Sequence, residues 1–143
     1  MKRTLLILLA LILSISTVGC AGQAGDQVRY EIFTDEFFAD VVEIRDSSSG
    51  VVSGEQMEPV IQYLKGLTLT PTDEHLRTTD EKGDQLYGSD LITFRKSDGT
   101  ELTVLRNAAK MTGLDACSYV AEGENLNAGL KEAFDQALKH RGE

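Results

Sequence analysis

The 143-residue chain is poor in the residue types that most often carry chemistry. It contains no tryptophan, two prolines, two cysteines and two histidines. A zinc site draws three or four closely spaced ligands mainly from histidine and cysteine. His75, His140 and Cys117 lie too far apart in the sequence to supply such a set. Glycine patterns that cradle phosphates or dinucleotides are also lacking. We therefore expect neither a metal site nor a cofactor.

Basic residues are scarce: 14 lysines and arginines stand against 23 aspartates and glutamates, a net charge of −9. Nucleic-acid binding requires basic patches that neutralise phosphates, so this class of function is excluded. Anionic lipid headgroups should also repel such a chain. A cationic partner is compatible with this charge, although an acidic surface most often serves solubility.

The first twenty residues have the layout of an export signal. Lys2 and Arg3 precede an uncharged apolar run over residues 4–18, and a positive start followed by a short apolar run is typical of a secretory signal peptide. The run has about 15 residues, whereas a helix that crosses the ~30 Å hydrocarbon layer needs ~20. We therefore predict a signal peptide rather than a permanent membrane helix.

The end of this run, Thr17-Val18-Gly19-Cys20, resembles the lipobox of bacterial lipoproteins, with Thr17 where that family usually has leucine. The resemblance implies that a diacylglycerol is attached to the sulfur of Cys20 and that residues 1–19 are removed. Two acyl chains anchor a protein stably, since each buried CH₂ contributes ~0.8 kcal/mol. The alternative is an ordinary signal peptide whose cleavage leaves a cysteine nearby.

The predicted organisation is a signal peptide over 1–19, a lipidated tether over 20–27 and one domain over 28–143. The tether is small and polar, as flexible linkers are, and the remaining length suits one domain. Without Lys2 and Arg3, the chain from Cys20 has 12 basic and 23 acidic residues, a net charge of −11. The expected location is the extracytoplasmic face of the cell membrane, with Cys117 left as an unpaired cysteine.

Alternating apolar and polar residues predict half-buried strands over 28–33 and 38–45, with Phe38, Val42 and Ile44 together on the face that points into the core. Residues 67–70 are expected to form a short strand that ends before Pro71.

A helix is predicted after the glycine-containing turn at residues 46–50. Ser53 and Gln56 have the spacing of a capping box, and an apolar stripe follows at helical spacing. Pro59 either distorts the first turn or occupies the first helical position.

The clearest local pattern is a hairpin over 90–106 around Asp98-Gly99. A two-residue turn would place Phe94 opposite Thr103 and Ile92 opposite Leu105, whereas a three-residue turn with a bulge would shift this pairing by one.

Residues 108–120 are expected to add one or two strands, with Cys117 and Tyr119 on one face. Asn125 is expected to cap a final helix that buries Leu126, Leu130, Phe134, Ala137 and Leu138. Consecutive strands with two amphipathic helices indicate an α+β domain. The predicted fold is a single antiparallel sheet with both helices packed on one of its faces.

Only His75 and Cys117 are candidates for catalysis, as base and nucleophile. His75 lies in the acidic loop over 72–88, where residues 75–78 could form a short strand. Cys117 is more ordinary as a buried small hydrophobe, and His140 as a solvated cation at a helix end. The carboxylates of residues 80–84 miss the spacing of a calcium-binding loop.

Three functional hypotheses remain. The first is a non-enzymatic binding or accessory lipoprotein of the cell envelope, since the layout resembles that of the short lipoproteins displayed by Gram-positive bacteria. The second is an interaction or inhibitor module that uses its acidic surface or sheet edge against a secreted or membrane partner. The third is a small hydrolase that uses His75 or Cys117. Solute capture between two lobes is excluded, because the chain is one domain long.

Overall fold

A computed structural model describes residues 31–77, 79, 81–83 and 90–139. Cys20, His140, the predicted signal peptide and the predicted tether lie outside this part of the chain. The described residues form strands β1 (Val41–Asp46), β2 (Gly50–Ser53), β3 (Leu69–Thr72), β4 (Asp90–Lys96), β5 (Glu101–Arg106), β6 (Lys110–Thr112) and β7 (Ser118–Ala121), helices α1 (Asp35–Phe38), α2 (Glu58–Lys65) and α3 (Leu126–Lys139), and a 3₁₀ helix (Gly54–Met57).

The described strands form one sheet in the order β2-β1-β4-β5-β6-β7-β3. Every neighbouring pair is antiparallel. Strands β4 to β7 follow one another as a meander. Strand β3, which precedes them in the chain, pairs with β7 at the far edge of the sheet. The predicted α+β class with a single antiparallel sheet is confirmed.

The sheet has a buried face and an outer face that alternate along the strands. Ile44, Ile92 and Val104 lie opposite or beside one another across β1, β4 and β5, and all three are fully buried. Their neighbours Arg45, Leu91 and Thr103 point the other way and are exposed. This period of two is what a sheet with one buried face requires.

Helices α2 and α3 contribute to the same core cluster as the buried face of the sheet. The buried helical side chains are Val60, Leu64, Leu126, Leu130, Ala133, Phe134 and Ala137. Asn125 accepts a hydrogen bond from the backbone N–H of Ala128 at 3.2 Å, so the predicted cap of the last helix is present. Four of the five residues expected in its stripe are buried, and Leu138 is partly buried.

The prediction that Val42 points into the core is wrong. The register between β1 and β4 shifts between Val41 and Glu43, which leaves Val42 as the extra residue of a bulge. An extra residue reverses the alternation of inward and outward side chains at that point. Val41 is therefore buried, and Val42 is 40% exposed.

The chain before β1 is helical rather than extended. Residues 28–30 lie outside the described residues, and Glu31–Phe33 form no strand, so that prediction is wrong in its described part. Thr34 caps α1 by accepting a hydrogen bond from the backbone N–H of Phe37. The turn of helix packs the rings of Phe33, Phe37 and Phe38 around Phe94, with centroids 5.0–6.1 Å apart. The apolar residues whose spacing fits a strand instead form an aromatic cluster around a short helix.

The start of α2 lies close to the second of the two expectations, with Pro59 as the second residue of the helix rather than the first. Ser53 makes no side-chain capping bond, and a 3₁₀ turn comes before the helix. Pro59 lies in the first turn of α2, where its missing N–H has no partner to lose. Pro71, expected to end a strand, instead lies within β3, an edge strand, where proline is tolerated.

The hairpin between β4 and β5 has the three-residue turn. Phe94 pairs with Leu102 and Ile92 with Val104, one position from the register of a two-residue turn. Gly99 adopts a φ of 87°, which favours glycine. The side chain of Asp98 accepts hydrogen bonds from the backbone and hydroxyl of Thr100, which hold the pKa of this carboxyl below its usual value.

Candidate functional site

A buried ion pair occupies one end of the sheet. The guanidinium of Arg106, at the end of β5, donates from Nε to Asp46 Oδ1 at 2.7 Å and from Nη2 to Asp46 Oδ2 at 2.8 Å. Nη2 also donates to Ser48 Oγ at 2.8 Å, and Nη1 donates to Asn127 Oδ1 in the first turn of α3. Both charged side chains are fully buried.

This buried ion pair joins elements that are distant in sequence. Asp46 ends β1, Ser48 belongs to the β1–β2 turn and Asn127 belongs to α3, so one arginine connects a strand, a turn and a helix. The N–H donors of Arg106 are directed at protein acceptors, and a second carboxylate, that of Asp90, lies 3.8 Å from Nη1. Each guanidinium nitrogen has a protein acceptor, and both side chains are buried, so a substrate cannot reach the pair. Its role is structural.

Sequence reasoning missed this pair. Arg106 ends an alternating strand and stands in the inward row with Leu102 and Val104, which was the available signal. A charged residue at an inward position is rare unless it is paired. The sequence does not identify the partner, because it predicts a turn at Asp46, which instead ends β1.

His75 is joined to Ser118, which the sequence had not indicated as a candidate. Residues 73–77 run along the outer face of β6 and β7, where the backbone N–H of Leu76 donates to Thr112 Oγ1. His75 Nδ1 lies 2.7 Å from Ser118 Oγ, and the same hydroxyl lies 2.7 Å from Thr112 Oγ1. The expected strand over residues 75–78 does not form in the described residues 75–77.

The contact between His75 and Ser118 does not have the geometry of a working nucleophile. The side chain of Ser118 is fully buried, and its hydroxyl is already held between the imidazole and Thr112. Nucleophilic catalysis needs a hydroxyl that a substrate can reach and a base oriented by a third group. The arrangement instead fixes the 73–77 segment onto the sheet.

Cys117 lies in the bend over residues 113–117, before β7, rather than on a strand beside Tyr119. It is half-buried, and its sulfur is disulfide-bonded, in contrast to the unpaired cysteine expected from the sequence. A disulfide sulfur carries no thiolate for attack. Next to it, the Tyr119 hydroxyl donates to Asp115 at 2.6 Å, which orders the bend.

A shallow groove of about 410 Å³ lies between α2 and α3, lined in part by Tyr63, Glu124, Gly129 and Glu132. The Tyr63 hydroxyl is buried without a hydrogen-bond partner among the described atoms. Burial, reinforced by the charge of Glu124 and opposed by Arg106, raises the pKa of Tyr63 to about 12. Gly129 permits this approach, since a Cβ there would lie 2.1 Å from the tyrosine oxygen.

An ion pair also holds the acidic loop to the sheet. Glu74 forms an ion pair with Lys110 on β6, and this hydrogen bond lowers the pKa of the Glu74 carboxyl. Among the residues that the structure describes, no three carboxylate, histidine or cysteine side chains are grouped as metal ligands would be. Asp80 and Asp84 lie outside those residues.

The outer face of β2, β1, β4 and β5 is an exposed surface of mixed character. Glu43 accepts a hydrogen bond of 2.8 Å from each of Arg45 and Arg95, whose side chains remain 49% and 44% exposed. Val51 and Leu91, on the same face, are 46% and 44% exposed. We call this surface the arginine face.

The chain has no match among protein-family models, curated proteins or solved structures. In the described ranges, no helix has the length and apolar character needed to cross a bilayer.

Proposed function

We propose that this protein is a lipid-anchored, non-enzymatic binding or accessory module of the bacterial cell envelope, which contacts a protein partner through its arginine face. The tether is supported by Lys2 and Arg3, the apolar run and the Gly19-Cys20 junction. The sequence has only two cysteines, so a thioether to lipid at Cys20 and the disulfide of Cys117 exclude one another within the chain. In the proposed membrane-anchored form, Cys20 therefore carries the lipid in place of this disulfide.

The observation that carries the binding proposal is the asymmetry of the sheet. We propose that α2 and α3 cover the buried face together, which the shared core cluster supports. The opposite face of β2, β1, β4 and β5 then points away from the helices. Exposed apolar side chains beside arginines are characteristic of protein interfaces.

The partner that fits this face carries apolar side chains and carboxylates. Each guanidinium has five N–H donors, and Glu43 accepts one hydrogen bond from each of Arg45 and Arg95. The remaining donors can bind carboxylates bidentately. Acidic side chains elsewhere on the chain would repel such a partner, which restricts the contact to this face.

The test is chemical cross-linking in membranes that contain the full chain, followed by identification of the cross-linked protein. Leu91→Asp places a charge on the arginine face, and Ala128→Asp places the same charge at an exposed position on α3. We expect Leu91→Asp to abolish the cross-link and Ala128→Asp to keep it. Equal behaviour of the two variants would refute binding through this face.

A further inference from the structure

The two edges of the sheet differ in how well they are protected against pairing with another strand. Strands β2 and β3 form the two ends of the described sheet. Strand β3 contains Pro71, which has no N–H to donate. Strand β2, Gly50-Val51-Val52-Ser53, has neither a proline nor a charge. Edge strands are normally blunted by such residues, because exposed backbone donors and acceptors invite another strand.

Within the described residues, β2 is hydrogen-bonded on one side only, to β1. No strand among the described residues pairs with its other side, which carries backbone N–H and C=O groups. The side chain of Val51 stands beside this edge on the outer face and is 46% exposed. The edge thus offers both the hydrogen-bonding groups and the apolar side chain that an added strand would use.

We propose that β2 pairs with β2 of a second copy of this chain, in antiparallel orientation, to form one continuous sheet. The alternation of faces supports this partner. A two-fold axis perpendicular to the sheet can place Val51 opposite Val51 of the second copy, so that both outer faces lie on the same side. Two β-branched side chains that are directly opposite in an antiparallel pair stabilise it, and the contact is self-complementary, as a two-fold interface must be.

Charge also favours a second copy at this place. The chain has a net charge of −9, so most approaches of two copies are repulsive. Strand β2 carries no charge, and on the neighbouring strand Glu43 is neutralised by Arg45 and Arg95. Two acidic copies meet least repulsion at an uncharged edge that borders a neutralised surface.

A four-residue strand forms only a few inter-strand hydrogen bonds, so the pairing is weak between freely diffusing molecules. Confinement to one membrane surface raises the effective concentration and favours a weak contact. This step rests on the proposed lipid anchor. The strand geometry does not depend on the anchor or on the partner proposed for the arginine face.

The test places a photo-cross-linking amino acid at Val51 in the full chain, expressed in bacteria as two differently tagged copies. The matched control places it at Thr70, an exposed position in the other edge strand. We expect a cross-link between the two tagged copies from position 51 and none from position 70. A second pair of variants, Val51→Lys and Thr70→Lys, is tested by co-purification of the two tags after mild extraction.

Lysine at an edge opposes strand pairing, so Val51→Lys should lower co-purification about tenfold, while Thr70→Lys leaves it unchanged. A cross-link from position 51 to a different protein alone, with none between the two copies, would overturn pairing between copies and leave the binding function standing. Cross-links between copies from both positions, or from neither, would also overturn it. Loss of the arginine-face cross-link in Leu91→Asp is a separate result, so the two proposals fail independently.

Discussion

Removing the carboxylate of Asp46 should destabilise the fold more than any change at a surface ion pair. In the Asp46→Ala variant, the guanidinium of Arg106 loses two hydrogen bonds of 2.7 and 2.8 Å and its buried counter-charge. It keeps hydrogen bonds to Ser48 and Asn127. Breaking a buried ion pair by removing one partner costs about 3–5 kcal/mol, because the other charge stays buried. We expect a loss of that size in the free energy of unfolding.

The matched control is Asp90→Ala. Asp90 faces the same guanidinium at 3.8 Å, but its side chain is 35% exposed. Exposed pairs contribute about 0–1 kcal/mol, so this variant should remain near the parent. Urea denaturation followed by circular dichroism measures both variants. Asp46→Asn provides a milder change if Asp46→Ala does not fold.

A double variant separates the cost of the stranded charge from the value of the pair. Replacing the pair by apolar residues, as in Asp46→Leu with Arg106→Met, removes both charges and is often neutral or stabilising in other proteins. We expect this variant to recover most of the stability lost in Asp46→Ala. Equal losses in Asp46→Ala and Asp90→Ala would refute the reasoning, because burial would then have no energetic consequence.

Three further changes probe the helix pair and the outer segment. Gly129→Ala forces a Cβ to within 2.1 Å of the Tyr63 hydroxyl and should lower the free energy of unfolding by about 1–3 kcal/mol through overpacking. Adding Tyr63→Leu should restore the stability. An unchanged unfolding midpoint in Gly129→Ala would contradict the contact between the two helices. The pKa of Tyr63 is raised from 10.0 to about 12. The stability that its neutral side chain contributes is therefore present below pH 10 and is lost as the pH rises toward 12. Ultraviolet-monitored unfolding should show this decline in the parent and not in Tyr63→Phe. Ser118→Ala removes the contacts to His75 and Thr112 and should lower the free energy of unfolding by about 1–3 kcal/mol, because polar groups are left unpaired. A serine-directed phosphonate should not label the parent. Labelling at Ser118 would revive the hydrolase hypothesis.

The sequence was sufficient for features that depend on local pattern. The final helix begins after Asn125 and buries the expected stripe, because helical periodicity and a capping residue act within a few positions. The β4–β5 hairpin also formed where Asp98-Gly99 indicated it. Its register needed the structure, since the sequence alone allowed two turn lengths.

Features that depend on distant residues could not be predicted. The bulge that exposes Val42 is set by how β1 meets β4 across the sheet, and a one-residue change reverses which side chains face the core. Arg106 and Asp46 are 60 positions apart, and His75 and Ser118 are 43 positions apart. Period-two alternation places an arginine on the inward row, but only tertiary structure identifies its partner.

The proposal that the protein is tethered by lipid is tested most directly by the intact mass of the membrane-extracted chain, measured beside a Cys20→Ser control. The account predicts a chain that starts at Cys20 and carries added acyl mass, which is lost in the control. A chain without acyl mass, with Cys20 and Cys117 joined and two hydrogens lighter than the reduced form, would contradict it and favour a secreted, disulfide-bonded module.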